Sequence, residues 1–147
     1  MGCYSLIDFA HFNGIETYMS VVKVQPLPSE LRSIISYHGF AKSGRCFDNS
    51  WNIVTANIAC DAKYVLAISQ KVLPVQHAII KVGNIYYDPT WELNQTINDV
   101  FDYDNDYLVI AEWDRLALHD FVRKNQSADG NYYAPMLSTI KHLRKDL

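Results

Sequence analysis

The sequence predicts an α+β domain with a mostly antiparallel sheet. Strand-like runs gather between residues 63 and 113, helical patterns flank them on both sides, and Gly83-Asn84 joins two of the runs as a tight turn. At 147 residues the chain has the size of one domain, expected over residues 1–147, and can bury a core without disulfide or metal staples. No repeat, low-complexity block or linker divides it.

Each element has its own signal. "ETYMSVVKV", residues 16–24, is rich in β-branched and aromatic residues and reads as a strand. "LPSELRSIISYHGF" reads as a short helix, with Ser29 as N-cap and Gly39 as its stop. From Cys46 to Ala59, Phe47, Trp51, Val54 and Ile58 recur at spacings of three and four, which predicts an amphipathic helix. "KYVLAIS", "HAIIKV", "NIYYDP" and "YLVIAEW" are strand candidates. "DRLALHDFVRKN", with Asp114 as N-cap, and "APMLSTIKHLRK" are helical patterns that close the chain.

Composition narrows the function. The chain is 49% hydrophobic and 20% charged, which fits a globular protein rather than a disordered one. Thirteen Lys+Arg against 16 Asp+Glu give a net charge of −3 and no basic run, so nucleic acid is not expected as a partner. No apolar run approaches a membrane span and no signal-like segment is seen. Cys3, Cys46 and Cys60 form neither a disulfide framework nor a C-x-x-C pair, so a reducing, cytoplasmic setting is expected. No cofactor motif appears, and His11, His38, His119 and His142 lack neighbours at metal-ligand spacing. "DYDND", residues 102–106, starts like a calcium loop, but Tyr107 and Trp113 stand where glycine and glutamate are needed; it reads as a solvated acidic turn.

Chemistry enters with the hairpin "HAIIKVGNIYYDPTW". A two-residue loop at 83–84 sets Val82 opposite Ile85, Ile79 opposite Asp88 and His77 opposite Thr90. His77 and Asp88 then become diagonal neighbours on one face, with Cβ atoms roughly 7–8 Å apart or closer, a gap their side chains can bridge. The carboxylate is expected to take the Nδ1 proton and leave Nε2 free. From the hairpin alone, a polar pair on an exposed face fits as well.

Cys46 shifts the balance. It follows "SGR" and opens the amphipathic helix, where free N–H groups and the helix dipole favour negative charge. A thiol there beside an imidazole can ionise well below its usual pKa of about 8.5. The Cys46 N–H would form half of an oxyanion hole. Cys60, late in the same helix, reads as a small buried hydrophobe.

"GRCFDNSW", a helix, then "HAIIKV", a tight turn and "YYDPTWE" resembles the transglutaminase-like superfamily of papain-fold cysteine enzymes, which includes the transglutaminases and peptide N-glycanases. The resemblance rests on Gly44, Cys46, Asp48, His77, Asp88 and Pro89, and covers about a third of the chain, residues 43–92. It implies a papain-like fold with the nucleophile helix packed on the sheet, and a catalytic triad of Cys46 as nucleophile, His77 as general base and acid, and Asp88 as orienting group. Ile79 departs from the aromatic that many relatives carry there, and no glutamine precedes Cys46 to supply the second oxyanion donor. Tyr37 and His38 are candidates for that donor by nearness in the chain. With Trp91, they are the residues expected to meet substrate. Trp51, one helical turn past Cys46, reads as core.

The expected activity is acyl transfer on an amide through a thioester, with a protein or peptide as substrate. Hydrolysis, by a protease, amidase or glutamine deamidase, is favoured over cross-linking because water needs no dedicated amine site. Two alternatives remain open: a non-enzymatic protein-binding module on the same fold, and acyl transfer from a thioester cofactor such as acetyl-coenzyme A, as in arylamine N-acetyltransferases.

Overall fold

The computed structural model describes residues 20–70, 73–95, 101–125 and 133–137. Among the described residues, five strands form one antiparallel sheet: β1 (Ser20–Val22), β2 (Ala62–Gln70), β3 (Pro74–Val82), β4 (Ile85–Tyr87) and β5 (Tyr107–Trp113), in the order β1-β5-β2-β3-β4. Four helices accompany it among the described residues: α1 (Ser29–His38), α2 (Cys46–Thr55), α3 (Pro89–Glu92) and α4 (Arg115–Lys124). The α+β class therefore stands, with every strand pairing antiparallel.

Side-chain alternation splits the core in two. On one face Tyr64, Leu66, Ile68, Ala78, Ile80, Leu108 and Ile110 pack with Ile53 and Val54 of α2 and Leu118 of α4. On the other, Val65, Ala67, Ile79, Tyr107 and Val109 meet Val24 and Phe101, with Trp91 and Tyr103 packed at the margin.

Local signals explain most boundaries. The β3–β4 hairpin has the expected register, Val82 opposite Ile85. Of its two loop residues, Gly83 alone takes a positive φ, 63°, as the first loop position of a type II′ turn does. Asp114 caps α4, its Oδ1 accepting from the Ala117 N–H at 2.8 Å. Gly39 ends α1, its N–H bonding the Ser36 carbonyl.

Five details depart from the sequence reading. Ser29 is the first helical residue of α1, and Pro28 holds the cap position without a side-chain bond. α2 ends at Thr55 rather than Ala59, because Asn57 turns left-handed at φ 55°. Cys60 thus lies beyond the helix and is exposed, not a buried hydrophobe. The buried face of α2 is also rotated from the expected one: Asn49, Ser50, Ile53 and Val54 are buried, while Phe47 and Trp51 are only partly covered. Of the first predicted strand, residues 20–22 are strand and residues 16–19 lie outside the described residues. Of the last predicted helix, residues 134–137 are described and not α-helical, and the rest lies outside.

The acidic turn behaves as expected of a polar loop. Asp102 Oδ1 accepts from the Asp104 N–H, and Lys23 Nζ donates to the Asp104 carbonyl and to Asp106. Among the described residues no helix is long and apolar enough to cross a membrane, and no group of three or more His, Cys, Asp or Glu side chains could hold a metal ion.

Replacing Asp114 by Ala leaves the first N–H groups of α4 without their cap. The expected outcome in urea denaturation is a loss of about 1 kcal/mol, with no change in the reactivity of Cys46.

Candidate active site

Three elements converge on His77. The histidine is the fourth residue of β3, not the first of a strand, because β3 pairs with β2 all the way back to Pro74. The β4 ladder ends at Tyr87, opposite Ile80. The expected strand pairs Ile79–Asp88 and His77–Thr90 therefore do not form. Instead Asp88-Pro89 starts α3: Asp88 is its N-cap, accepting from the Trp91 N–H, and Pro89 sits at the first helical position.

The carboxylate still reaches the imidazole. Nε2 of His77 lies 2.9 Å from Oδ2 and 3.0 Å from Oδ1 of Asp88. This inverts the expected orientation, in which Nδ1 would face the acid. Asp88 lies beyond the end of β4, so it meets the outer nitrogen of the ring, and Nδ1 is the nitrogen left for a third group. The Cys46 thiol lies near enough to the imidazole to favour its charged form. It comes from the first residue of α2, whose own N–H has no acceptor within the helix.

Burial distinguishes the three groups. His77 is 2% exposed and Asp88 fully buried, while Cys46 remains partly open to solvent. Burial is the largest influence on the imidazole and disfavours its charge. The charge and hydrogen bond of Asp88, then the hydrogen bond and charge of Cys46, outweigh it and push the His77 pKa up from 6.5 to about 9. The ring is thus a proton donor at neutral pH.

The supporting residues were not visible in the sequence pattern. Tyr107 donates to Asp88 Oδ2 at 2.5 Å from β5, and it is fully buried. Burial and the Asp88 charge raise its pKa, so the phenol keeps its proton. Asn49, one turn past Cys46, donates to Thr90 Oγ1 at 2.8 Å and to the Lys42 carbonyl at 2.9 Å, and accepts from the Lys42 N–H at 3.0 Å. It ties α2 to α3 and to the loop before the thiol. Its polarity within a buried helical face is the one local signal that could have exposed it. Glu92 anchors the far end of α3, accepting from the Leu27 N–H and Arg32, both at 3.0 Å.

The expected substrate-contact residues fall in different places. Trp91 stacks on His77, ring centroids 3.7 Å apart and planes 22° from parallel, so it covers the imidazole as well as bordering the site. Tyr37, at the end of α1, is 86% exposed and sits edge-on to His38. His38 stacks on Phe40 and lines a cavity of about 280 Å³ with Lys42, Arg45, Asp48 and Asn52. Asp48 is ion-paired with Arg45 there. A larger cavity, about 580 Å³, is lined by Trp51 of α2 and by Leu116 and His119 of α4, and none of Cys46, His77 and Asp88 lines it. Trp51 is therefore a half-buried wall rather than core.

No protein-family model, curated protein or solved structure matches the chain.

The raised His77 pKa fixes a sign for stability. Protonation of His77 stabilises the fold fully below pH 6.5, and this contribution is lost as pH rises through about 9. Urea titrations between pH 6 and 10 should show stability falling across that window. With Asp88→Asn the fall should flatten, because the main source of the upward shift is gone.

Proposed function

We propose that this chain is a cysteine-dependent acyl-transfer enzyme acting on an amide bond of a protein or peptide, with hydrolysis as its main outcome. One observation carries the reading: a buried imidazole is held through Nε2 by both oxygens of Asp88, and the partly open Cys46 lies near enough to act on its charge. Such an arrangement suits nucleophilic catalysis better than a surface polar pair, which would leave the ring in water.

In this mechanism the Cys46 sulfur attacks the amide carbonyl carbon, and the C–N bond breaks. His77 Nδ1 gives its proton to the departing amine, leaving a thioester on Cys46. A water molecule then attacks the thioester, its proton passes to Nδ1, the C–S bond breaks, and the acid leaves as the thiolate and imidazolium are restored. The Cys46 N–H supplies one donor to the oxyanion at each stage. Asp88 keeps the ring in place and balances the imidazolium charge. No cofactor takes part, and the papain-like arrangement and a cytoplasmic setting belong to this proposal. Support for the arrangement comes from α2, which carries Cys46 and packs on the antiparallel sheet.

Iodoacetamide at neutral pH should alkylate Cys46 faster than the exposed Cys60, and His77→Ala should slow Cys46 at least tenfold while leaving Cys60 unchanged. Mass measurement after incubation with peptides and proteins should show cleavage or deamidation that Cys46→Ser abolishes. A Cys46 no more reactive than Cys60 would favour the binding-module reading. Turnover of acetyl-coenzyme A would redirect the proposal to cofactor-fed acyl transfer.

A further inference from the structure

We propose that Tyr107 is a positioning residue that sets how tightly the His77–Asp88 pair holds its proton, and so the pH range in which His77 can protonate a leaving group. This rests on the reading of His77 as the acid of an acyl-transfer site.

The geometry leaves Tyr107 little choice of role. Each Asp88 oxygen has two donors: Oδ1 faces His77 and the Trp91 N–H, and Oδ2 faces His77 and the Tyr107 hydroxyl. The Trp91 donor is backbone, fixed by α3. The Tyr107 hydroxyl is the one side-chain donor to Asp88 from outside the proposed triad among the described residues. Its ring is fully buried, with centroids 6.4 Å from His77 and 6.3 Å from Trp91, so the hydroxyl is held on the carboxylate. The other polar and charged groups acting here are Cys46 from α2, Glu92 from α3, Ser69 from β2 and Asp102 from the loop before β5. None of these four has a hydrogen bond to Asp88.

The direction of the effect follows from charge. When His77 is protonated, its own charge balances Asp88. When the ring loses its proton, the carboxylate is left uncompensated in a buried site, and the phenol bond becomes worth more. Tyr107 thus favours the deprotonated pair and loosens the proton, whichever atom of the pair carries it. A chain without this hydroxyl holds the proton to higher pH, and a chain with a stronger donor releases it sooner.

The test is a titration of the full chain labelled with ¹⁵N-histidine, read without substrate, with the His77 signals assigned by their loss in His77→Gln. Tyr107→Phe should raise the His77 titration by roughly one pH unit, a tenfold gain in proton affinity. Site-specific 3-fluorotyrosine at position 107, a more acidic phenol that preserves the packing, should lower it, and this variant keeps the test intact if Tyr107→Phe does not fold. A purely structural role predicts no movement with fluorotyrosine, and that result, or a downward shift in Tyr107→Phe, overturns the inference. Because the readout needs no turnover, an inert Cys46 would remove the acyl-transfer reading while leaving the Tyr107 result to stand or fall alone.

Discussion

The fold around the site depends on keeping one charged carboxylate inside a protein. Asp88 is fully buried, and an ionised carboxylate without partners there would be expelled or neutralised. Three groups prevent this: the His77 ring, the Trp91 N–H and the Tyr107 hydroxyl. They come from β3, α3 and β5, so satisfying one side chain locks together three separate parts of the chain. Trp91 closes the arrangement by lying flat on the imidazole and excluding water.

A second set of bonds brings the thiol to this pair. Cys46 stands at the start of α2, and a helix end is free to drift unless it is tied down. Asn49 ties it, holding the Lys42 backbone with one amide and Thr90 with the same side chain. Since Thr90 lies two residues past Asp88, the link sets the nucleophile helix against the segment that carries the carboxylate. Glu92, at the end of that short helix, in turn holds Leu27 and Arg32. Asn49 on α2 and Thr90 and Glu92 on α3 therefore act as spacers between elements, a task that apolar packing, which lacks direction, does less sharply.

Much of this was legible in the sequence because it is encoded locally. Gly83 fixes the hairpin register, Asp114 caps its helix, and the apolar runs of β2, β3 and β5 identify themselves by composition. The approach of His77 to Asp88 was also legible, from the hairpin turn. Their detailed geometry was not. The same Asp-Pro pair that suggested a strand ends β4 and begins α3, because capping and proline's fixed φ favour a helical turn there. As a result the ring presents Nε2, not Nδ1, to the acid. The polar face of α2 was hidden for a similar reason: apolar periodicity cannot reveal a buried asparagine whose partners lie 7 and 41 residues away.

Tyr107 was illegible because its orientation is decided by a single irregularity. Along β2 and β5, Leu66 pairs with Ala111 but the next residue, Ala67, pairs with Val109, so Ile110 is the extra residue of a bulge. In a regular ladder Ala67 would face Ile110 and Ser69 would face Leu108, and the whole lower half of β5 would present its even-numbered side chains to the His77 face. The bulge reverses that half strand. Val109 and Tyr107 turn toward Ala67 and His77, while Leu108 and Ile110 join the core beneath α2. Ala67, directly between Val109 and His77 in the sheet, is small enough to leave space above β2 for the tyrosine ring. The hydroxyl that satisfies Asp88 is thus placed by one extra residue three positions away along β5.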